Sequence, residues 1–268
     1  MTESADGLLS IARTIAIAAA DLARERRTAG VEIAASKSSV EDIVTLADRE
    51  TEELIRRMLA DARPHDGFFG EESEADAGTS GLSWVVDPID GTVNYLYGIP
   101  HYAISIAVVE GAADPTTWTA LAGVVVNPAA GEIFSATLGG GAFLGETPIV
   151  VNRSVSLDQA LVGTGFSYSS ANRAVQGAII AGLLSRVRDI RRHGAASLDL
   201  CAVACGRLDA YFERGLQPWD HAAGALIARE AGATVAGWNG APVSSDFVLA
   251  AAPALAAELE KTLAVLAN

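Results

Sequence analysis

The stretch Trp84-Val85-Val86-Asp87-Pro88-Ile89-Asp90-Gly91-Thr92-Val93-Asn94-Tyr95 decides how the rest of the chain is read. Three β-formers run into two carboxylates three residues apart, then a glycine and a threonine. That is the pattern of a strand ending in a charged turn that feeds a helix N-terminus. Pro88 biases Asp87 toward extended backbone and stiffens the turn, so both carboxylates can be aimed at one point. Gly91 has no Cβ to obstruct a ligand, and the N–H groups of Gly91 and Thr92 suit a phosphate at the positive end of the next helix. Carboxylates beside a phosphate seat repel it unless cations lie between. The pattern therefore points to bound metal, and all-oxygen ligands point to Mg²⁺ or a similar hard ion. Two carboxylates ~4 Å apart repel by roughly 4 kcal/mol at an effective dielectric of 20, so metal binding is the natural relief of such a cluster.

Upstream, Phe68-Phe69-Gly70-Glu71-Glu72 reads as a short buried strand giving out into adjacent carboxylates. Neighbouring side chains on extended backbone point to opposite sides, so one of the pair faces the metal centre; Glu71 takes that role and Glu72 stays outside it. Thr45-Leu46-Ala47-Asp48 has the form of a capping box ahead of Leu54, Met58 and Ala62, and capping alone would explain Asp48. Lys37 to Asp42 reads as a polar loop. Leu8, Ile11, Ile15, Ala19 and Leu22 recur at helical spacing, which predicts a packing helix from about 8 to 27.

Downstream, 102–109, 119–126 and 132–136 read as consecutive antiparallel strands separated by Gly, Pro and Asn turn signals. Gly139-Gly140-Gly141 lacks the lysine and strand-to-helix context of a phosphate loop and reads as a hairpin connection. Residues 158–166 form another strand region. From about 171 helices and strands alternate: helix to about 187, strand 189–192, helix 195–205, strand 208–213, helix 220–231, strand 247–251, and a last helix from Pro253. In Trp219-Asp220-His221-Ala222-Ala223-Gly224, Asp220 suits a helix start, and the small residues permit close packing against a sheet. His221 is structural or exposed, since a hard-metal site needs no nitrogen. Arg192-His193-Gly194-Ala195-Ala196-Ser197 places small residues at a helix N-terminus, where N–H groups can face a ligand.

With 268 residues, half of them hydrophobic, the chain can bury a substantial core as one domain, 1–268, whose halves divide at about 166/167. The apolar run Ile15 to Ala20 is too short to span a bilayer and follows acidic Glu3 and Asp6, so a cytoplasmic protein is expected. A net charge of −14 opposes diffuse binding to nucleic acid or anionic membrane. The two cysteines, Cys201 and Cys205, share a helix face and read as packing residues.

Asp87 to Tyr95, Gly70-Glu71-Glu72-Ser73 and Trp219 to Gly224 together resemble the inositol monophosphatase family, three separated motifs matching in order over nearly the whole chain. The resemblance implies an α/β layered sandwich, αβαβα, and commonly a homodimer. It implies one Mg²⁺ held by Glu71, Asp87 and the carbonyl of Ile89, another by Asp87, Asp90 and Asp220, and a third, weaker ion near Glu71. It gives Asp48 a second role: hydrogen-bonded to Thr92, it orients and polarises the attacking water together with Glu71. Asp90, Gly91, Thr92 and Asp220 then meet the phosphate ester, and Gly194, Ala195 and Ala196 contact the inositol ring. Ala195 stands where many relatives carry threonine, which removes one hydroxyl. Glu213 matches the glutamate that accepts from ring hydroxyls. Lys37 matches the lysine of a mobile, metal-responsive segment.

The activity so implied is Mg²⁺-dependent hydrolysis of myo-inositol 1-phosphate by a metal-activated water, without a phosphoenzyme. Relatives with the same metal motifs act on histidinol phosphate, adenosine 3′,5′-bisphosphate or fructose 1,6-bisphosphate, and the metal motifs read only the phosphate. Some bacterial members are associated with transcription complexes, so a protein-binding regulator is the reading from another class.

Overall fold

The computed structural model describes residues 3–31, 33–36, 43–112 and 114–267. Helix α1 (Ala5–Ala29) buries Leu8, Ile15 and a run of alanines, and Ser4 caps it by accepting from the N–H of Gly7. Strands β1 (Ile33–Ser36) and β2 (Ile43–Thr45) pair antiparallel. The Lys37 to Asp42 segment lies outside the described residues. Helix α2 (Leu46–Ala62) begins at the capping box expected of Thr45 and Asp48.

Strand β3 (Gly67–Gly70) lies parallel to β4 (Leu82–Asp90), and α3 (Thr92–Tyr97) follows at once. The expected turn after Val86 is not there: β4 runs through Asp87 and Pro88 to Asp90. Its register on the next strand shifts between Asp87 and Asp90, and such an irregularity re-aims side chains without ending the pairing. Then come β5 (Ala103–Glu110), β6 (Thr119–Asn127), β7 (Glu132–Thr137), β8 (Gly141–Leu144) and β9 (Thr147–Ile149), completing a sheet of order β3-β4-β5-β6-β7-β8-β9. The triple glycine is the β7–β8 hairpin connection; Gly139 and Gly141 donate their N–H groups to the Glu230 carboxylate at 2.8 and 2.9 Å.

The second sheet uses β10 (Leu161–Thr164), reached after a short 3₁₀ turn at Leu157–Gln159. Helix α4 (Ser170–Leu183), β11 (Asp189–Arg191), α5 (Ala196–Ala204), β12 (Ala210–Glu213), α6 (Pro218–Glu230), β13 (Thr234–Ala236), a 3₁₀ turn at Trp238–Gly240, β14 (Val248–Ala251) and α7 (Pro253–Leu266) complete the described elements. The strand order is β11-β10-β12-β14-β13, with β10 parallel to both neighbours. Strands β8, β9 and β13 were not expected, because three or four residues leave too little alternation to read, and β8 and β9 also carry a glycine or a proline.

Three cores separate the layers. Helices α1 and α2 pack on one face of the seven-stranded sheet, α5 and α6 fill the space between the two sheets, and α4 and α7 cover the far face of the second. The result is the αβαβα sandwich. Helices on both faces explain why all nine residues of β4 are buried. Close layering needs small residues where α6 crosses β6: a Cβ on Gly123 would lie 3.0 Å from the Cα of Ala223. Cys201 is buried and Cys205 half-buried, both free thiols, in agreement with a packing role.

Candidate active site

The site forms where the carboxyl end of β4 meets the N-termini of α2, α5 and α6. Asp87 and Asp90 are 2% and 7% exposed, and Asp48 is fully buried. Burial pushes the Asp87 carboxyl well above the usual carboxylate range, and the neighbouring charges of Glu71, Asp90 and Asp220 add to it. Glu71 also stands within hydrogen-bonding reach of Asp87. Asp220 is pushed up by burial and by Glu71 and Asp90. Glu71, Asp87, Asp90 and Asp220 are thus brought into one mutually repelling group of oxygen donors. A divalent cation relieves both burial and repulsion, and the all-oxygen donor set fits a hard ion such as Mg²⁺.

Asp90 is held by the start of α5. Its Oδ1 accepts from the N–H of Ala196 at 3.2 Å, and its Oδ2 from the N–H of Ser197 at 2.7 Å and the hydroxyl at 2.5 Å. These donors favour the charged form and partly offset burial, leaving Asp90 at about 6. The N–H of Ala196, expected to face a ligand, is therefore spent on Asp90. Asp87 is steadied within its own strand, where Oδ1 accepts from the N–H of Ile89 at 3.1 Å.

Asp48 makes both sets of contacts open to it, with the helix start and with Thr92. Oδ2 accepts from the N–H of Thr45 at 2.9 Å while the N–H of Asp48 donates to Thr45 Oγ1 at 3.4 Å, which is the capping box, and Oδ2 also pairs with the Thr45 hydroxyl. Oδ1 lies 3.0 Å from Thr92 Oγ1, which is also 3.1 Å from the carbonyl of Ile89. Burial raises Asp48 to about 7, with Glu71 and Glu72 contributing. Asp220 sits at the third position of α6, which begins at Pro218 with Gln217 as N-cap, and its Oδ2 accepts from the N–H of Gln217 at 2.6 Å. It closes a capping box there instead of opening the helix.

Gly91 has φ 90°, and a Cβ there would lie 3.0 Å from the carbonyl oxygen of Gly194 and 3.2 Å from the Cβ of Ala195. Only a glycine lets the Asp90-Gly91 corner meet the Gly194-Ala195 turn. Glu213, at the end of β12, is raised by burial to about 7 and accepts from the hydroxyl of Tyr211, two residues back on the same strand face. The charges of Asp90 and Asp199 add to that rise, so Glu213 belongs to the same electrostatic group.

Some residues of the site were not singled out from the sequence. Ser197 anchors Asp90. Glu52, 2% exposed, accepts from the N–H of Glu72 at 2.8 Å and fixes the turn carrying Glu71. Its signal was available: 48, 52, 55 and 59 form the buried stripe of α2, and a glutamate on such a stripe needs a buried donor. His221 is buried beside Trp118, with burial lowering it to about 3, as the structural alternative had it.

The model of the inositol monophosphatase family matches residues 4–267. Inositol-1-monophosphatase of Mycobacterium leprae (strain TN) is 44% identical over 270 residues, 93% of this chain and 90% of that protein. The solved structure of Mycobacterium tuberculosis SuhB superposes with a TM-score of 0.83 at 43% identity, covering 99% of this chain and 98% of that one. A protein of Xylella fastidiosa (strain Temecula1 / ATCC 700964) named Nus factor SuhB is 44% identical over 201 residues, 75% of this chain and 70% of its own. With this fold and site, such matches make the chain a phosphatase. It belongs to the inositol monophosphatase family. No described helix is long and apolar enough to cross a membrane.

Proposed function

We propose that this chain hydrolyses myo-inositol 1-phosphate to inositol and phosphate. Glu213 carries that choice of substrate. It is a half-buried carboxylate beside the Asp90 and Asp220 charges, able to accept from two neighbouring hydroxyls of a polyol whose phosphate lies at the acidic group. Glu71, Asp87 and the Ile89 carbonyl would hold one Mg²⁺, Asp87, Asp90 and Asp220 another, and a third, weaker ion would lie near Glu71. Bound there, the ions neutralise the phosphate and lower the pKa of water. The chain's own groups do the rest. Thr92 and Asp48, 3.0 Å apart, orient the attacking water with Glu71. Gly91 leaves the backbone open to phosphate oxygens, and Gly194 and Ala195 form the wall against the ring. A homodimer in the cytoplasm goes with this reading.

Glu213→Gln tests it. Losing a charged acceptor costs about 1.5–3 kcal/mol per hydroxyl bond, so KM for the inositol ester should rise by roughly 10–150-fold, while hydrolysis of p-nitrophenyl phosphate, which has no polyol, should hold. Equal loss on both esters would sink the substrate assignment. Relatives named Nus factor SuhB support a second reading, a protein-binding regulator. Asp90→Asn separates the two, since hydrolysis should vanish while a binding role that does not use the site should persist.

A further inference from the structure

We propose that His101, His193 and Asp199 form a Zn²⁺ site on the flank of the active site, distinct from its carboxylates. The three residues come from separate places: His101 precedes β5, His193 follows β11, and Asp199 lies in the first turn of α5. Asn94 ties the first two together by donating from Nδ2 to the carbonyls of His101 at 2.7 Å and His193 at 2.8 Å. One ligand atom from each of the three residues lies within 4.8 Å of the others. The imidazole rings stand 5.0 Å apart between centroids at 39°, and His193 Nδ1 is 2.6 Å from Asp199 Oδ1.

Two further observations point to a ligand. Nε2 of His101 is buried and has no hydrogen-bond partner among the described residues, a costly condition for a ring nitrogen. Both histidines also line a cavity of about 340 Å³, room for an ion and a water as fourth ligand. Glu132 lines the same cavity but is engaged by Arg207 at 2.8 Å, and Arg191 is paired with Asp189 at 2.6 Å.

Two imidazoles and one carboxylate suit Zn²⁺, whereas the oxygen-only group next door suits Mg²⁺. The ion would tie the segment entering β5 to the turn before Gly194, whose carbonyl abuts Gly91. It would thus brace one wall of the active site.

The test is Zn²⁺ titration of chelator-treated full-length protein in saturating Mg²⁺, followed by calorimetry, with Co²⁺ as a spectroscopic probe. One Zn²⁺ equivalent is expected that survives Asp87→Asn. Its affinity should fall at least ~100-fold in His193→Ala and in His101→Gln, the upper end of what loss of an outer-sphere partner alone costs. Wild-type protein with Co²⁺ should show hyperfine-shifted imidazole N–H resonances, a readout that needs no variant to fold. Absence of those resonances, or Zn²⁺ binding that ignores both histidine variants or is lost in Asp87→Asn, would overturn the site and leave His193–Asp199 an ordinary hydrogen-bonded pair.

Discussion

Gly165→Ala reaches Glu213 without touching any group proposed to bind metal or phosphate. A Cβ at residue 165 would lie 1.9 Å from Glu213 Oε2, 2.2 Å from Cδ and 2.3 Å from Oε1, so the carboxylate must move. Those atoms are the far end of a flexible side chain. The backbone can stay, and the stability cost is the Tyr211 to Glu213 hydrogen bond, about 1–2 kcal/mol for a half-buried pair. Displacement removes the acceptor for one or two ring hydroxyls, at about 1.5–3 kcal/mol each for a charged acceptor, a roughly 10–150-fold rise in KM if one bond is lost. The assay is steady-state phosphate release from myo-inositol 1-phosphate and from p-nitrophenyl phosphate at saturating Mg²⁺, with urea unfolding as the stability check. Loss on the inositol ester alone is the expected result. An unchanged KM, or an equal fall on both esters, would refute the role of Glu213.

Gly91→Ala forces a side chain into φ 90° and against the Gly194 carbonyl at 3.0 Å; a loss of about 1–3 kcal/mol is expected in urea unfolding, together with reduced turnover as the two turns separate. Thr92→Val removes the hydroxyl 3.0 Å from Asp48 while keeping the shape, so kcat should fall by about 10²–10⁴-fold, the usual worth of positioned proton transfer, with Mg²⁺ affinity by calorimetry little changed. In chelator, stability should fall as pH rises. Asp48 and Glu213 at about 7 and Asp90 at about 6 hold protons in the folded chain that the unfolded chain has released. That stabilisation is full below about pH 4 and is lost through pH 6–7. From pH 6.5 to 8 the metal-free protein should lose about 1–2 kcal/mol by urea unfolding, Mg²⁺ should recover much of it at pH 8, and a rise instead of a fall would show that these groups are not held protonated.

The parts of the fold legible in the sequence were those with a period or a cap. The 3.6-residue stripe of α1, the capping box of α2 and the long strands β5 to β7 all stand near their expected bounds. What was not legible depended on distance in the chain. Asp87-Pro88 looked like a turn because proline normally ends pairing, yet helices on both faces and a register shift carry β4 through it. The acidic group was visible as motifs, but its support was not. Ser197 meets Asp90 across 107 residues, a contact that no local pattern announces, and the stripe of α2 marks Glu52 as buried without marking its partner, the Glu72 N–H 20 residues on. His101 and His193 fell outside the motif roles for the same reason, since only the fold brings them together.

The most direct test of the central claim is phosphate release from myo-inositol 1-phosphate, beside histidinol phosphate, adenosine 3′,5′-bisphosphate and fructose 1,6-bisphosphate, across a Mg²⁺ titration. A strong preference for the inositol ester and no turnover without Mg²⁺ are the expected results. Preference for another ester would contradict the role given to Glu213, and no hydrolysis of any ester at any Mg²⁺ concentration would contradict the site itself.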